Sequence, residues 1–247
     1  MELNKAAIES IIEQFKNQKR VFSNESQFQF EFGRALEKEG YKVFFEVLSI
    51  DDNEKDAKRR KIYTDIVVDL GDNEFAAIEL KYKSAGKPST ENIGFDGRIG
   101  AFLYPDNDKN PQYVFPQGAI NEGLYFFLKD VERLEKSVRH EVEFNFDNKK
   151  TITTGYAILM ANSKSDSKST YWSSQKNKKG DKTCADFSLE EAKEVKRGTL
   201  KWSEKSSAKD WSEINIRGKY KCAWKDYYSN HSYPIKYLIF EIKPPNS

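Results

Sequence analysis

Two apolar runs around a single turn signal constrain this chain more than any other feature. Residues 63–70 and 75–82 are rich in Ile, Val, Leu and Ala, and Gly71-Asp72-Asn73 separates them. That pattern is a β-hairpin. Side chains alternate along a strand. Ile66, Val68, Ala76, Ile78 and Leu80 therefore share one face, and Asp65, Val67, Ala77, Glu79 and Lys81 share the other. Apolar residues on both faces place the hairpin inside a sheet. With residues 71–73 as a three-residue loop, Leu70 stands opposite Glu74, Val67 opposite Ala77 and Asp65 opposite Glu79. A two-residue loop shifts the pairing by one. Directly opposed Cβ atoms lie about 4.5–5.5 Å apart, and two carboxylates so placed repel each other. A divalent cation between them is the natural compensation. Lys81, on the same face, adds a further positive charge.

The order Asp65, thirteen residues, then Glu79-Leu80-Lys81 resembles the signature of the PD-(D/E)XK nuclease superfamily, which includes restriction endonucleases and Holliday-junction resolvases. The resemblance covers residues 24–82 and, loosely, the helix that follows, with Thr64 where the motif has proline. It implies an α/β fold of the restriction-endonuclease-like kind, a mixed central β-sheet flanked by helices. It implies phosphodiester hydrolysis, with Mg²⁺, or Mn²⁺ in its place, held by Asp65, Glu79 and the backbone carbonyl of Leu80. Lys81 would position the attacking water. DNA is the implied substrate, and restriction or host defence the implied setting. The chemistry suits the residues: Mg²⁺ takes one or two carboxylates plus waters and phosphate oxygens, and it acidifies bound water.

Glu-x-Lys recurs at 191–193, 194–196 and 241–243. The first two fall in a polar, helix-like stretch and read as a solvated face. The third lies on a strand-like segment, residues 235–243, but has no upstream Asp-bearing partner strand. The bland alternative for Asp65 and Glu79 is an exposed sheet face with a Glu–Lys pair.

Residues 24–40 read as an amphipathic helix. Asn24 or Ser23 is the N-cap, Phe28, Phe32, Ala35 and Leu36 form the apolar stripe, and Gly40 is the stop. The segment Glu25-Ser26-Gln27-Phe28-Gln29 resembles the first helix of many superfamily members, which implies that Glu25 supports the site. A first-turn Glu also complements the helix dipole. Glu31 is a weaker candidate. Residues 41–50 form a strand in which Glu46 is either a third metal-facing carboxylate or an edge residue turned to solvent.

The 247 residues fit one domain, with a core at about 20–162 and a β-rich C-terminal elaboration at about 183–247. Lys and Arg number 41 against 39 Asp and Glu, a net charge of +2. That balance excludes a polycationic DNA coat but leaves room for local basic loops. Lys58-Arg59-Arg60-Lys61 is a phosphate clamp or a solvated loop, and Lys176, Lys178, Lys179 and Lys182 offer a second contact in the Ser- and Lys-rich stretch 163–182. The Gly- and aromatic-rich stretch 84–116 shapes the substrate cleft or caps the core.

Residues 117–139 read as a long helix, with Gln117 and Arg133 as further candidates for the site or a phosphate. Residues 153–162 form a central strand, 189–197 a helix, and 199–202, 214–223 and 235–243 further strands that extend the sheet or pair beside it. Cys184 and Cys222 make no metal-ligand pattern and read as free thiols of a reducing, cytoplasmic setting. Two histidines leave a His-based metal site or catalytic triad poorly supplied. No phosphate loop, dinucleotide fingerprint, signal peptide or membrane-length apolar run appears. The leading expectation is thus a Mg²⁺-dependent DNA endonuclease. A homodimer would let single sites cut two strands. The alternatives are an inactive nucleic-acid-binding module on the same fold, or a protein-interaction domain.

Overall fold

A computed structural model describes residues 2–50, 61–83, 102–104, 112–114, 120–140, 143–144, 151–162, 187–204, 206–228 and 234–244. In chain order the elements are α1 (Lys5–Asn17), α2 (Glu25–Lys38), β1 (Lys42–Ile50), β2 (Lys61–Gly71), β3 (Glu74–Lys83), β4 (Phe102–Tyr104), β5 (Gln112–Val114), α3 (Ile120–Val138), β6 (Glu143–Phe144) and β7 (Thr151–Asn162). Then follow β8 (Glu194–Val195), β9 (Gly198–Leu200), β10 (Ile214–Ile216), β11 (Tyr220–Lys221), β12 (Lys225–Tyr228) and β13 (Ile235–Ile242). The main sheet has seven strands in the order β12-β13-β7-β3-β2-β1-β6. Only β3 and β7 run parallel; every other neighbouring pair in it is antiparallel. The chain is therefore mixed α/β. The parallel step needs a crossover, and α3 supplies it.

The hairpin splits its side chains as the alternation requires. Ile66, Val68, Ala76, Ile78 and Leu80 enter one core with Ile8, Ile11, Ile12 and Phe15 of α1 and Phe28, Phe32 and Leu36 of α2. Val67, Phe75 and Ala77 enter the other, under Leu124, Phe127, Leu128, Val131, Leu134 and Val138 of α3. Both faces are covered, which is why β3 and β7 are apolar almost throughout.

The turn differs from the expected three-residue loop. Asp72 and Asn73 have φ of 50° and 62°, and Gly71 pairs with Glu74, so the loop has two residues. Two left-handed central residues match the twist of the flanking strands. An irregularity between Asp69 and Gly71 restores the expected register farther in: Asp69 pairs with Phe75, Val67 with Ala77 and Ile66 with Ile78. Leu70 therefore does not pair with Glu74.

α2 starts where its cap predicts, with the Asn24 side chain accepting from the Gln27 N–H. It stops at Gly40, whose φ of 92° suits glycine. The Tyr41 N–H then reaches the Leu36 carbonyl and the Gly40 N–H the Glu37 carbonyl, a Schellman closure. α1 was not expected.

The expected helix at 189–197 is absent. Ala192 has φ of 62°. Its N–H goes to the Cys222 carbonyl, the Cys222 N–H returns to the Lys193 carbonyl, and Trp224 Nε1 holds the Leu189 carbonyl. Those cross-chain bonds take backbone groups that a helix needs for itself. β8 pairs with β11 and β9 with β10 beside the main sheet, while β13 pairs with β7 over eight residues within it.

Candidate active site

The site lies where β2 and β3 part. Backbone pairing runs to Ile66 with Ile78 and stops one residue short of Asp65 and Glu79. Beyond that point β2 stays paired to β1, through Thr64 with Val47. The Leu80 N–H then points into a fork with no strand to meet it. Asp65 fills the gap, its Oδ2 accepting that N–H at 2.7 Å. Two residues further along β3, Glu25 Oε2 accepts the Tyr82 N–H at 3.1 Å. A residue's N–H and carbonyl leave an extended strand on the same edge, so the Leu80 carbonyl shares the fork with its N–H.

Lys81 sits between two carboxylates. Its Nζ lies 3.1 Å from Glu25 Oε1 and 3.2 Å from Asp130 Oδ2. Lys83 Nζ lies 3.9 Å from Glu25 Oε2. Asp130 and Arg133, one turn apart on α3, pair with each other, and the guanidinium also lies 3.2 Å from Glu79 Oε2. Four carboxylates (Glu25, Asp65, Glu79, Asp130) thus meet three cations (Lys81, Lys83, Arg133).

Glu79 is the extreme member. It is 2% exposed, and neither carboxylate oxygen accepts a hydrogen bond. Among the described residues six buried side-chain polar atoms lack a hydrogen-bond partner. Four of them are here: both oxygens of Glu79, Asp130 Oδ2 and Arg133 Nε. The Glu79–Arg133 approach is close in distance but not aligned as a hydrogen bond. Buried ions left in this state cost several kcal/mol each, and native folds keep few such groups.

The surroundings set the protonation states. Burial pushes the Asp65 carboxyl up to about 6, against the opposing pull of Lys81 and the Leu80 N–H. Burial pushes Glu79 well above its ordinary value, with Arg133 opposing and Asp130 and Asp65 adding to the rise. Burial alone would lower Lys81, but Asp130, Glu25, Asp65 and Glu79 together outweigh it and hold the ammonium above its ordinary range. Lys81 therefore stays protonated at neutral pH.

The expected residues Asp65, Glu79, Lys81 and Glu25 come together, and Arg133 joins them. Asp130 was missed. Glu31 does not join: it pairs with Arg20. Glu46 is exposed, with φ of 49°, and its carboxylate accepts from Gln29 Nε2 at 2.7 Å. The same amide donates to the Asp65 carbonyl at 2.9 Å, so Gln29 bridges the one residue pair that β1 and β2 skip. Gln117, Lys58-Arg59-Arg60, Cys184, Lys176, Lys178, Lys179 and Lys182 lie outside the described residues. Glu241 pairs with Lys243 and accepts from Tyr156.

For a cation the donor set is mixed. Among the described residues no group of three or more His, Cys, Asp or Glu is gathered in a metal-binding arrangement. Mg²⁺ needs fewer, since one or two carboxylates plus waters suffice. Glu79, with both oxygens bare of hydrogen bonds, and Asp65, whose charge adds to the rise of the Glu79 pKa, are carboxylates of the kind such a site uses. Among the described residues no helix is long and apolar enough to cross a membrane. Comparison with known proteins brings no match to any protein family, any curated protein or any solved structure.

Proposed function

We propose that this chain is a Mg²⁺-dependent endonuclease hydrolysing phosphodiester bonds in DNA, on a restriction-endonuclease-like core, in a restriction or host-defence role. The observation that carries the reading is the buried Glu79 carboxylate, bare of hydrogen bonds, beside Asp65 and the Lys81 ammonium. A fold that only needed packing there would be more stable with an apolar residue. The order α2, β1, β2, β3, α3, β7, with the acids at the β2–β3 fork, supports the same reading.

Asp65 and Glu79 would hold the cation, with the Leu80 carbonyl as a third oxygen. A bound Mg²⁺ supplies charge for the scissile phosphate and a more acidic water. The chain's own residues do the rest. Asp65 is fixed by the Leu80 N–H, so its free oxygen has a defined direction. Lys81, held protonated between Glu25 and Asp130, donates rather than accepts. It orients the attacking water through a lone pair and stabilises charge as the new P–O bond forms and the bond to the leaving sugar oxygen breaks, while the water's proton passes to solvent and solvent protonates the departing oxygen. It does not serve as the base, because a base must be unprotonated. Glu25 keeps the ammonium in place, so its effect runs through Lys81.

A second reading, a module that binds nucleic acid without cutting, draws on one observation: Arg133 already supplies a positive charge to Glu79. One assay separates the two. Supercoiled, linear and single-stranded DNA are incubated with Mg²⁺, Mn²⁺ or EDTA, using wild type and Lys81→Ala. The expected result is metal-dependent cutting that Lys81→Ala lowers by about 100-fold or more, the scale of a lost charge-stabilising donor. Binding without cutting on every substrate would favour the module, and neither binding nor cutting would favour a protein-interaction domain.

A further inference from the structure

Arg133 occupies a position that the proposed chemistry leaves unexplained. Its guanidinium lies 3.2 Å from Glu79 Oε2 and pairs with Asp130, yet its Nε is buried with no hydrogen-bond partner. An arginine built to stay would use its planar fork on a carboxylate. Here the Glu79 contact is a charge contact without hydrogen-bond alignment, and both oxygens of Glu79 remain unsatisfied. The side chain is also the more open partner, 29% exposed against 2% for Glu79 and 3% for Asp130. One end of the pair is fixed in the sheet, and the other is partly exposed.

The charge balance explains why a cation stands there. Without Arg133 the four carboxylates would face, among the described residues, Lys81 and Lys83. A divalent cation arriving at Glu79 would meet the guanidinium at close range, and like charges this near repel strongly away from bulk water. The two cations therefore compete for one carboxylate.

We propose that Arg133 is a positioning residue that couples cation binding to nucleic-acid binding. On the nuclease reading above, Arg133 in the free protein holds Glu79 and weakens the site for divalent cations. A phosphate group at the mouth of the site gives the guanidinium an alternative anionic partner, with the bidentate geometry that Glu79 does not provide. Glu79 is then released to the cation. Metal and phosphate backbone thus strengthen each other's binding, and the coupling is reciprocal.

The test is calorimetric titration of Ca²⁺, a probe that takes oxygen ligands, into full-length protein with and without a short DNA duplex. In wild type the duplex is expected to tighten Ca²⁺ binding by about tenfold, within the usual range of coupling between sites. Arg133→Gln is expected to bind Ca²⁺ more tightly than wild type in the absence of DNA, and to lose most of the duplex effect. Arg133→Lys keeps the charge but lacks the fork, and is expected to change in the same direction by a smaller factor. It serves as the readout if Arg133→Gln does not fold by circular dichroism. Unchanged or weaker Ca²⁺ binding in the folded variants, with the duplex effect intact, overturns the proposal. In that case loss of Ca²⁺ binding in Glu79→Gln keeps the cation site itself. Absence of Ca²⁺ binding in wild type with and without duplex overturns the nuclease reading along with the proposal.

Discussion

Asp65 carries its charge against the preference of its surroundings, and that has a thermodynamic signature. Its folded-state pKa is about 6 against an ordinary 3.8, with burial the largest cause. Between those values the native state binds more protons than the unfolded chain. Stability from this group is thus fully present below the ordinary value and is lost as pH rises through about 6. A shift of this size corresponds to roughly 3 kcal/mol. Asp65→Asn, which keeps an oxygen for the Leu80 N–H, is expected to stabilise the cation-free protein by up to that amount at about pH 8, and by little at about pH 4. Urea unfolding in EDTA at both pH values measures it, and a gain that is equal at both would sink the argument. On the nuclease proposal the same substitution is expected to abolish cutting, because Asp65 would be a ligand to the cation. Asp65, Glu79 and Lys81 were legible because a strand writes its faces directly into sequence. Asp130 was not, because a charged residue on a helix is usually solvated. Its signal lay in its neighbours. Phe127 precedes it by three and Leu134 follows by four, which puts a carboxylate inside the apolar stripe.

At the level of elements, the site depends on where α2 begins. Asn24 accepts from the Gln27 N–H and fixes the first turn, and Glu25 is the first residue of that turn. Its carboxylate reaches both Lys81 and the Tyr82 N–H. Fraying of the cap would therefore cost stability and also loosen Lys81. Asn24→Ala is expected to lower stability by about 1 kcal/mol and, on the nuclease proposal, to lower kcat more than it raises KM, because Glu25 acts through the Lys81 ammonium that it anchors. Chemical denaturation and steady-state kinetics test the two parts, and a rise in KM alone would argue against the anchoring role. Both boundaries of α2 were readable because cap and stop chemistry are local. The stretch at 189–197 was misread for the opposite reason. Its polar composition is neutral between helix and turn. The decision is made by Cys222 and Trp224, some thirty residues away, which capture its backbone groups. Glu135 plays a comparable structural part, accepting from the Arg217 and Gly218 N–H groups and the Tyr220 hydroxyl to tie the C-terminal strands to α3. It is a buried carboxylate with every need met, which separates it in kind from Glu79.

Across the whole molecule, the C-terminal strands extend the main sheet and pair beside it, as expected, and one of them is central to the packing. β13 lies inside the main sheet and pairs with β7 over eight residues, from Ile235 with Asn162 to Ile242 with Gly155. Its side chains feed both cores: Leu238, Phe240 and Ile242 pack toward α3, while Ile235, Tyr237 and Ile239 pack toward α1 and α2. α1, which precedes the expected core, supplies four buried residues to the second of these layers. The first and last segments of the described chain thus close the same apolar layer, and neither can leave without exposing the strands that hold Glu79 and Lys81. Such an arrangement is expected to unfold as one unit, because both ends of the described chain share one apolar layer. The tryptophans make this testable, because all four (Trp172, Trp202, Trp211 and Trp224) lie in the C-terminal part of the chain. Their fluorescence reports that part, whereas far-ultraviolet circular dichroism reports helices and strands throughout. Urea transitions followed by the two signals are expected to share one midpoint. A fluorescence transition at clearly lower urea would mean that the C-terminal strands detach first, and that the site's framework survives without the strand that closes both of its cores.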